Sequence, residues 1–372
     1  MPNKNALIGL VVRIDPPLDR QTDERGYTIE LDGDRRARLE ASDKNAAGLA
    51  RVLDGLRQLR RPVYLEVDPD TAAITRVLIP HVTRVAGLKP IDTGVLGVEL
   101  ELSHARHLLR GSTDDAADIE KLLREAIRTR TTVVVTETDA HEIIDVRPYT
   151  PIPGEELPHF PRPEYPARVP WSIDWIKYHW WRLWCWRCWP WWWFRCLSMK
   201  RAQQVFDTMS ATSCNPLTVP APCIPFLYPD DGCWGRASEM CRLMINLGLS
   251  PKKVWIQGSL HVSTKNNPGC AVFWGWHVAP TLCVRGPKFF QSQQMVFDPS
   301  LFATPVSQTA WKGVQGDPGA SLTPSAASIF YLWGSVTDPG YVQTNQVLAT
   351  YRLNLQNRSL GPSGPPPYAG CP

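Results

Sequence analysis

The sequence contains no uncharged apolar run of eighteen residues or more, the length that a membrane-spanning helix needs. Its net charge is only +4, far below the basicity that is typical of nucleic-acid-binding proteins. The start of the chain has a short apolar run that Arg13 interrupts, and no cleavage site of small residues follows. We therefore predict no transmembrane helix, no nucleic-acid partner and no Sec-type signal peptide.

Cysteine is absent before Cys185, and all ten cysteines lie at or after that position. Charge is equally uneven, since residues 1–198 carry 28 Lys+Arg and 29 Asp+Glu, whereas residues 199–372 carry 12 and 7. A chain of 372 residues is long enough for about two domains. The composition thus predicts two units of different character.

Residues 1–147 are predicted to form a duplicated α+β domain. At a shift of 70 residues, the apolar positions of segment 44–77 coincide with those of segment 114–146. The coinciding pairs are Ala46/Ala116, Leu49/Ile119, Val52/Leu122, Leu53/Leu123, Val63/Val133 and Ile74/Ile144. Each copy has helical spacing followed by a β-branched strand, a turn and a second strand. We expect two ββαββ-like repeats, at about 27–79 and 97–147. Binding, inhibition and export all remain open as roles.

One histidine of this domain, His141, is expected to be a surface residue rather than a metal ligand, because polar residues are mostly exposed.

Two unusual segments connect the units. Residues 148–170 hold eight prolines and predict an extended linker. Residues 171–197 contain ten of the sixteen tryptophans, interspersed with arginine and lysine. Tryptophan and arginine favour membrane interfaces, so this segment is a candidate for contact with a membrane surface, and packing on a neighbouring domain is the alternative. Its single C-x-x-C pair is weak evidence for a zinc site.

The stretch YPDDGCWGRASEMC, which ends at Cys241, indicates a helix with a cysteine in its first turn. Asp231 is the expected N-cap, and Gly248 follows the last turn. Unpaired backbone N–H groups and the macrodipole favour negative charge at a helix start, which predicts a lowered pKa for the Cys233 thiol. Cys241 lies on the apolar stripe and is predicted to be a core thiol. For Cys233, a buried thiol or a disulfide is the alternative.

Two strand-like stretches downstream, CAVFWGWHVAPTLCV and QMVFDPSLF, flank the turn RGPK. If they pair antiparallel about the 287/288 midpoint, His277 lies directly opposite Asp298, with Cβ atoms about 5 Å apart. An aspartate in that place can hold the tautomer of an imidazole. Cys233, His277 and Asp298 are therefore the candidate nucleophile, base and orienting group. A core histidine and an Asp-Pro turn are the alternatives.

Further residues of the second unit allow simple expectations. Trp274 and Trp276 flank the histidine, and alternation along a strand sends them to the opposite face. Cys214 and Cys223 border a Pro-rich loop and can form a disulfide in an oxidising compartment. Residues 361–372 are rich in proline and glycine and predict a flexible tail.

The motifs YPDDGCWGRASEM, WGWHVA and FDPSLF resemble the signatures of the bacterial protein-glutaminase (protein-glutamine deamidase) family, over 199–360. The resemblance implies a core similar to transglutaminases and papain-like cysteine enzymes with an antiparallel sheet, hence an α+β fold. It implies the catalytic set Cys233, His277 and Asp298, and neither a metal nor an organic cofactor. The implied substrates are proteins with exposed glutamine.

The implied reaction is hydrolysis of the glutamine side-chain amide to glutamate, through a thioester on the cysteine. Three alternatives stay open: a transglutaminase, a cysteine protease, and a non-enzymatic protein that acts on membranes through its Trp-rich segment. Family members are commonly secreted, so we expect secretion or effector delivery without a Sec-type signal, with a cytoplasmic location as the alternative.

Overall fold

The computed structural model describes residues 5–18, 26–112, 115–151, 196–219, 221–286, 288 and 291–371. Within these residues the chain forms three five-stranded antiparallel sheets, a two-stranded ribbon and six α-helices. The predicted linker at 148–170 and the Trp-rich segment at 171–197 lie almost wholly outside them. None of the helices in the described part is long and apolar enough to cross a membrane.

The first sheet and its helix are built from residues 6–78. The elements are β1 (Ala6–Asp15), β2 (Tyr27–Leu31), β3 (Arg35–Leu39), α1 (Ala46–Gln58), β4 (Pro62–Val67) and β5 (Ile74–Leu78). The strand order is β3-β2-β1-β4-β5. Helix α1 covers one face of the sheet because Val52, Leu53 and Leu56 share one side of the helix, and all three are fully buried.

The second sheet follows directly and has the same order of elements. They are β6 (His81–Asp92), β7 (Val95–Leu100), β8 (His107–Arg110), α2 (Ala116–Thr129), β9 (Thr132–Glu137) and β10 (Ile143–Pro148). The strand order is β8-β7-β6-β9-β10. A single parallel bridge joins the two edges of each sheet, between Arg38 and Ala73 in the first and between Leu108 and Glu142 in the second.

Each unit has three strands before its helix, one more than the ββαββ pattern that the sequence predicted. The additional strands are β1 and β6, which lie at the centre of their sheets. The apolar run of β1 shows little alternation, and periodicity alone does not identify such a run as a strand.

A buried polar cluster lies in the second unit. Glu137 Oε1 accepts hydrogen bonds from His81 Nε2 at 3.0 Å and from His141 Nδ1 at 2.9 Å, and Oε2 accepts one from His107 Nδ1. Burial lowers the pKa of His141, but the charge and the hydrogen bond of Glu137 outweigh it and raise the pKa to about 9. The expectation that His141 lies at the surface was wrong, because the ring is buried against a carboxylate.

We expect this cluster to make the free energy of unfolding fall as the pH rises above neutrality. Since the pKa of His141 is raised from 6.5 to about 9, its contribution is complete below pH 6.5 and is lost as the pH rises through 9. The loss amounts to about 3 kcal/mol in the free energy of unfolding. His141→Asn, which suits the left-handed φ of +58°, should flatten the dependence in urea titrations between pH 6 and 10. His261→Asn on an exposed imidazole should not, and parallel curves for all three proteins would refute the assignment.

The C-terminal domain contains the third sheet and the other helices. Its elements are α3 (Met199–Ser210), α4 (Cys233–Asn246), β11 (Lys252–Thr264), β12 (Asn267–Arg285), β13 (Ser292–Val296), β14 (Val306–Ser307), α5 (Gln308–Gly313), β15 (Ser321–Ala326), β16 (Ile329–Tyr331), β17 (Val336–Thr337) and α6 (Val342–Leu360). The sheet order is β14-β13-β12-β11-β15. Helix α4 packs on β12 through the predicted apolar stripe, in which Ala237, Met240, Cys241 and Met244 are all buried.

Three disulfides join cysteines of this domain. They are Cys196–Cys283, Cys214–Cys223 and Cys270–Cys371. The disulfide predicted between Cys214 and Cys223 is therefore present, while Cys233 and Cys241 are free and buried.

The C-terminal residues, predicted to be a flexible tail, are anchored at two points. Tyr368 is only 4% exposed, and its N–H donates to the carbonyl of Asn266. Cys371 is covalently joined to β12 through Cys270. A Pro/Gly-rich composition does not reveal such tertiary anchors.

The two halves of the chain pack together through α1 and α6. Gly48 and Gly55, two turns apart on α1, leave room for Leu360 and Leu353 of α6, and a Cβ at either glycine would lie under 3 Å from the opposing leucine. This contact packs the N-terminal domain against the C-terminal domain.

Candidate active site

Cys233 is the first residue of α4 and is 1% exposed. The residue before it, Gly232, has φ +78°, and a Cβ there would lie 2.3 Å from Cδ2 of Tyr351. Both the left-handed backbone and the close aromatic ring require glycine at this position. The turn at Gly232 therefore determines where the helix begins and presents the thiol at its first turn.

The prediction that Asp231 caps this helix was wrong, because its side chain makes no cap hydrogen bond to the helix. Instead the buried carboxylate accepts hydrogen bonds from the Gly232 N–H at 2.8 Å and from the Tyr351 hydroxyl at 2.6 Å. It also binds a histidine from the other domain, described below.

Gly232→Ala is expected to destabilise the chain much more than a glycine substitution elsewhere in a left-handed turn. Gly248 provides the matched control, since its φ is +75° and nothing lies within 4 Å of a Cβ built there. Both variants incur the backbone cost of about 1–3 kcal/mol, and only Gly232→Ala adds a steric clash with Tyr351. Thermal unfolding should show the larger drop in Tm for Gly232→Ala. Equal drops in Tm would mean that the Tyr351 ring moves aside without cost.

His277 and Asp298 form the predicted pair, since His277 Nε2 lies 2.9 Å from Asp298 Oδ2 and both residues are buried. The predicted register was wrong by two residues. Thr281 pairs with Val296, and β13 ends there, so Asp298 does not oppose His277 within the ladder. The Phe297 N–H still donates to the Pro280 carbonyl at 2.9 Å, so the chain continues beside β12 and Asp298 lies diagonally across from His277.

The indole of Trp311 contacts both residues of this pair, and sequence reasoning missed it. Its Nε1–H donates to Asp298 Oδ2 at 2.9 Å, and its ring stacks on His277 at a centroid distance of 5.5 Å. Burial raises the pKa of Asp298, but the charge of His277 and the hydrogen bonds from His277 and Trp311 outweigh it, so the pKa is lowered. The carboxylate is thus held ionised against the imidazole.

The thiol of Cys233 behaves differently from the sequence prediction. Burial raises its pKa well above the ordinary value, against the opposing effects of Arg236 and of the Val278 N–H. The expected lowering at a helix start was wrong for this conformation, because desolvation outweighs the N-terminal field. Burial in the closed site thus favours the neutral thiol over the free thiolate.

Two tryptophans of β12 enclose the site, and one of them, Trp274, contradicts the expectation that both face away from His277. Trp274 stacks on His277 at 4.6 Å, and both Trp274 and Trp276 contact the same histidine of the N-terminal domain. A bulge opposite them, at Gly258 and Ser259 of β11, shifts the register there. Trp274 packs in the same core cluster as Ala279, whereas Trp276 packs with Val278, so the alternation of β12 shifts by one residue beside this bulge.

A loop of the N-terminal domain closes the site. Strand β13 pairs only with residues 281–285 of β12, which leaves the earlier part of that edge of β12 free. The inserted loop, residues 102–106, pairs with this free edge: the Gly275 N–H donates to the His104 carbonyl at 3.0 Å, and the Arg106 N–H donates to the Phe273 carbonyl at 2.9 Å. Its backbone thus adds to the sheet beside β12, as a bound peptide strand would.

The side chain of His104 fills the space in front of the thiol. It is 1% exposed, and its Nδ1 lies 2.7 Å from Asp231 Oδ1. Its ring lies 5.9 Å from that of His277, and one donor atom from each of His104, Cys233 and His277 lies within 4.8 Å of the others. Sequence analysis missed His104, since nothing in SHARH (103–107) connects it to a cysteine more than a hundred residues later.

The comparisons with known proteins concern the domain that carries Cys233, His277 and Asp298. Residues 202–315 match a family model described as Glutaminase. The C-terminal domain resembles the glutaminase family. The predicted resemblance is thereby confirmed for this glutaminase-like domain, and a search of curated proteins found no match.

Solved structures extend the likeness of fold. A mutant of pro-protein-glutaminase has 22% identity and a TM-score of 0.50, over 74% of this chain and 94% of that chain. The NMR structure of protein-glutaminase from Chryseobacterium proteolyticum has 29% identity over 40% of this chain and 84% of that chain, with a TM-score of 0.36. The matched share, 74% of this chain, is longer than the C-terminal domain, so the fold similar to that of the pro-protein reaches into the N-terminal half.

Proposed function

We propose that this protein is a protein-glutamine deamidase, which hydrolyses the side-chain amide of protein-bound glutamine to glutamate and releases ammonia. The observation that carries the proposal is the convergence of Cys233, His277 and Asp298 within the part of the chain that matches the glutaminase family. A thiol nucleophile, an imidazole base and an orienting carboxylate are the groups that acyl transfer from an amide requires.

The proposed reaction starts with transfer of the Cys233 proton to Nδ1 of His277, whose Nε2 side is held by Asp298. The thiolate attacks the carboxamide carbon, and the backbone N–H of Cys233 at the helix start stabilises the oxyanion. His277 gives its proton to the departing ammonia, which leaves a thioester. It then takes a proton from water, whose oxygen attacks the thioester and yields glutamate and free thiol. Neither a metal nor an organic cofactor takes part.

The N-terminal domain is proposed to keep the enzyme latent. Its inserted loop already occupies the edge of β12 and the space before Cys233, where a substrate chain and its glutamine would have to bind. One structure with a similar fold is that of a pro-protein-glutaminase mutant, which supports a precursor-like role for residues 1–147. The same edge of β12 is therefore the proposed binding place of the substrate backbone.

Several finer points belong to the same proposal. The repeated order of strands and helix supports a duplication within residues 1–147. The catalytic core at 199–360 is proposed to be transglutaminase-like. Three disulfides support an oxidising destination, hence secretion. Effector delivery and membrane contact through 171–197 remain proposals.

The test is ammonia release from a glutamine-rich protein such as casein, with Cys233→Ala beside the unmodified protein. We expect ammonia together with the mass change of replacing an amide NH₂ by OH, and neither with Cys233→Ala. Chain cleavage would indicate a protease, and incorporation of an added amine would indicate a transglutaminase. Leakage of vesicles that Cys233→Ala leaves unchanged would favour the non-enzymatic alternative.

If the full chain is silent, the same assay on His104→Glu decides between latency and a wrong assignment. Activity in that variant would indicate latency, whereas silence with an accessible thiol would contradict the proposed reaction.

A further inference from the structure

The three side chains that meet where the inserted loop enters the site present atoms that suit a metal ion. Nε2 of His104 and Nδ1 of His277 are buried, and neither has a hydrogen-bond partner among the described residues. Cys233 contributes a thiol that is in no disulfide. Buried nitrogens without partners are costly unless a ligand satisfies them.

The opposite nitrogen of each imidazole is held by a carboxylate. Asp231 binds Nδ1 of His104 at 2.7 Å, and Asp298 binds Nε2 of His277 at 2.9 Å. A carboxylate in this place fixes the tautomer, so that the other nitrogen offers its lone pair. It is the outer-shell arrangement that accompanies histidine ligands of zinc. Here it occurs twice, on rings that come from different domains.

The spacing and the charge of the site agree with a small, soft cation. The donor atoms lie within 4.8 Å of one another, and tetrahedral zinc bonds of about 2.0–2.3 Å place ligand atoms about 3.3–3.8 Å apart, so side-chain shifts of at most about 1.5 Å bring all three onto one ion. Two buried carboxylates, Asp231 and Asp298, face one guanidinium, that of Arg236, which donates to the backbone carbonyl of Asp231. Thiolate and imidazole ligands favour Zn²⁺ over Mg²⁺ or Ca²⁺.

We propose that Cys233 Sγ, His277 Nδ1 and His104 Nε2 bind one Zn²⁺ ion in the closed protein. The thiol loses its proton to solvent as the sulfur–zinc bond forms, and no oxidation or reduction takes place. Because two ligands belong to the glutaminase-like domain and one to the inserted loop, the ion ties the loop to the nucleophile. The proposed zinc site is argued from geometry alone and does not depend on the proposed function. Only the idea that zinc keeps the enzyme latent rests on the proposed function.

Cobalt substitution tests the site in the full chain, because a thiolate on Co²⁺ gives a charge-transfer band that nitrogen and oxygen ligands do not. Cys185→Ser and Cys188→Ser form the background, so that the C-x-x-C pair contributes no thiolate. We expect a band that saturates at one Co²⁺ per chain and disappears when Zn²⁺ is added. The cluster of His81, His107 and Glu137 also has donor atoms within 4.8 Å of one another, but an ion there would give no such band.

Substitutions then assign the ligands. Cys233→Ser should abolish the band. His104→Gln, which can still hydrogen-bond to Asp231, should weaken affinity at least about 100-fold, since loss of an outer-shell partner alone costs 10–100-fold. His261→Ala, on the exposed face of β11, should change neither the charge-transfer band nor the metal affinity. Circular dichroism should show that all variants fold.

Accessibility of the thiol provides a second readout that does not depend on activity. Zn²⁺ should slow the reaction of Cys233 with a thiol reagent, and a chelator should restore it. A cobalt complex without the thiolate band, a band that survives Cys233→Ser, or unchanged affinity in His104→Gln would each overturn the site. If metal binding holds while His104→Glu releases no ammonia, the proposed function fails and the metal site stands.

Discussion

His104→Glu is expected to open the site and to raise ammonia release from a protein substrate by about 100-fold or more. The new carboxylate would lie beside Asp231, in a position that is 1% exposed in the closed protein. A buried charge without a partner costs about 3–5 kcal/mol, and each 1.4 kcal/mol changes a docking equilibrium about tenfold. The loop should therefore leave the edge of β12.

Two measurements check this expectation. Ammonia release gives the gain in activity, and the rate at which a thiol reagent modifies Cys233 gives the gain in access. His261→Glu, an equal change of charge on an exposed residue of the same domain as Cys233, should alter neither. Unchanged thiol reactivity in His104→Glu would show that the loop does not close the site in solution.

Asp298→Asn, made in the His104→Glu background so that access does not limit the rate, is expected to lower kcat by about 10³–10⁴-fold. Asparagine no longer stabilises a charged His277, and its amide can turn the imidazole to the wrong tautomer. Trp311 can still donate to the Oδ1 of asparagine, so the melting temperature should change little. The KM should stay similar, because Asp298 lies behind the imidazole and not in the substrate path.

Asp207→Asn on the exposed side of α3 is the matched control and should leave kcat unchanged. A loss below tenfold in Asp298→Asn would remove Asp298 from the orienting role. A large fall in melting temperature would show instead that the Asp298–Trp311 contact is chiefly structural.

The sequence by itself determined the local features of the site. The apolar helical stripe predicted a helix with Cys233 in its first turn, although the expected cap, Asp231, lies one residue before the observed cap, Gly232. The pairing of His277 with Asp298 was also predicted, although from a register that is two residues off. These features depend on residues that are close in sequence or on neighbouring strands, where periodicity and turn chemistry are informative.

Only the tertiary structure decided the state of the site. That His104 meets Cys233, that Asp231 holds His104 instead of capping α4, and that Trp311 supports Asp298 all depend on contacts between distant segments. The same packing reverses the pKa shift of Cys233, because the helix start favours the thiolate in water while the closing loop removes the water. Local sequence patterns determine which groups can react, whereas desolvation and contact between domains determine whether they are free to do so.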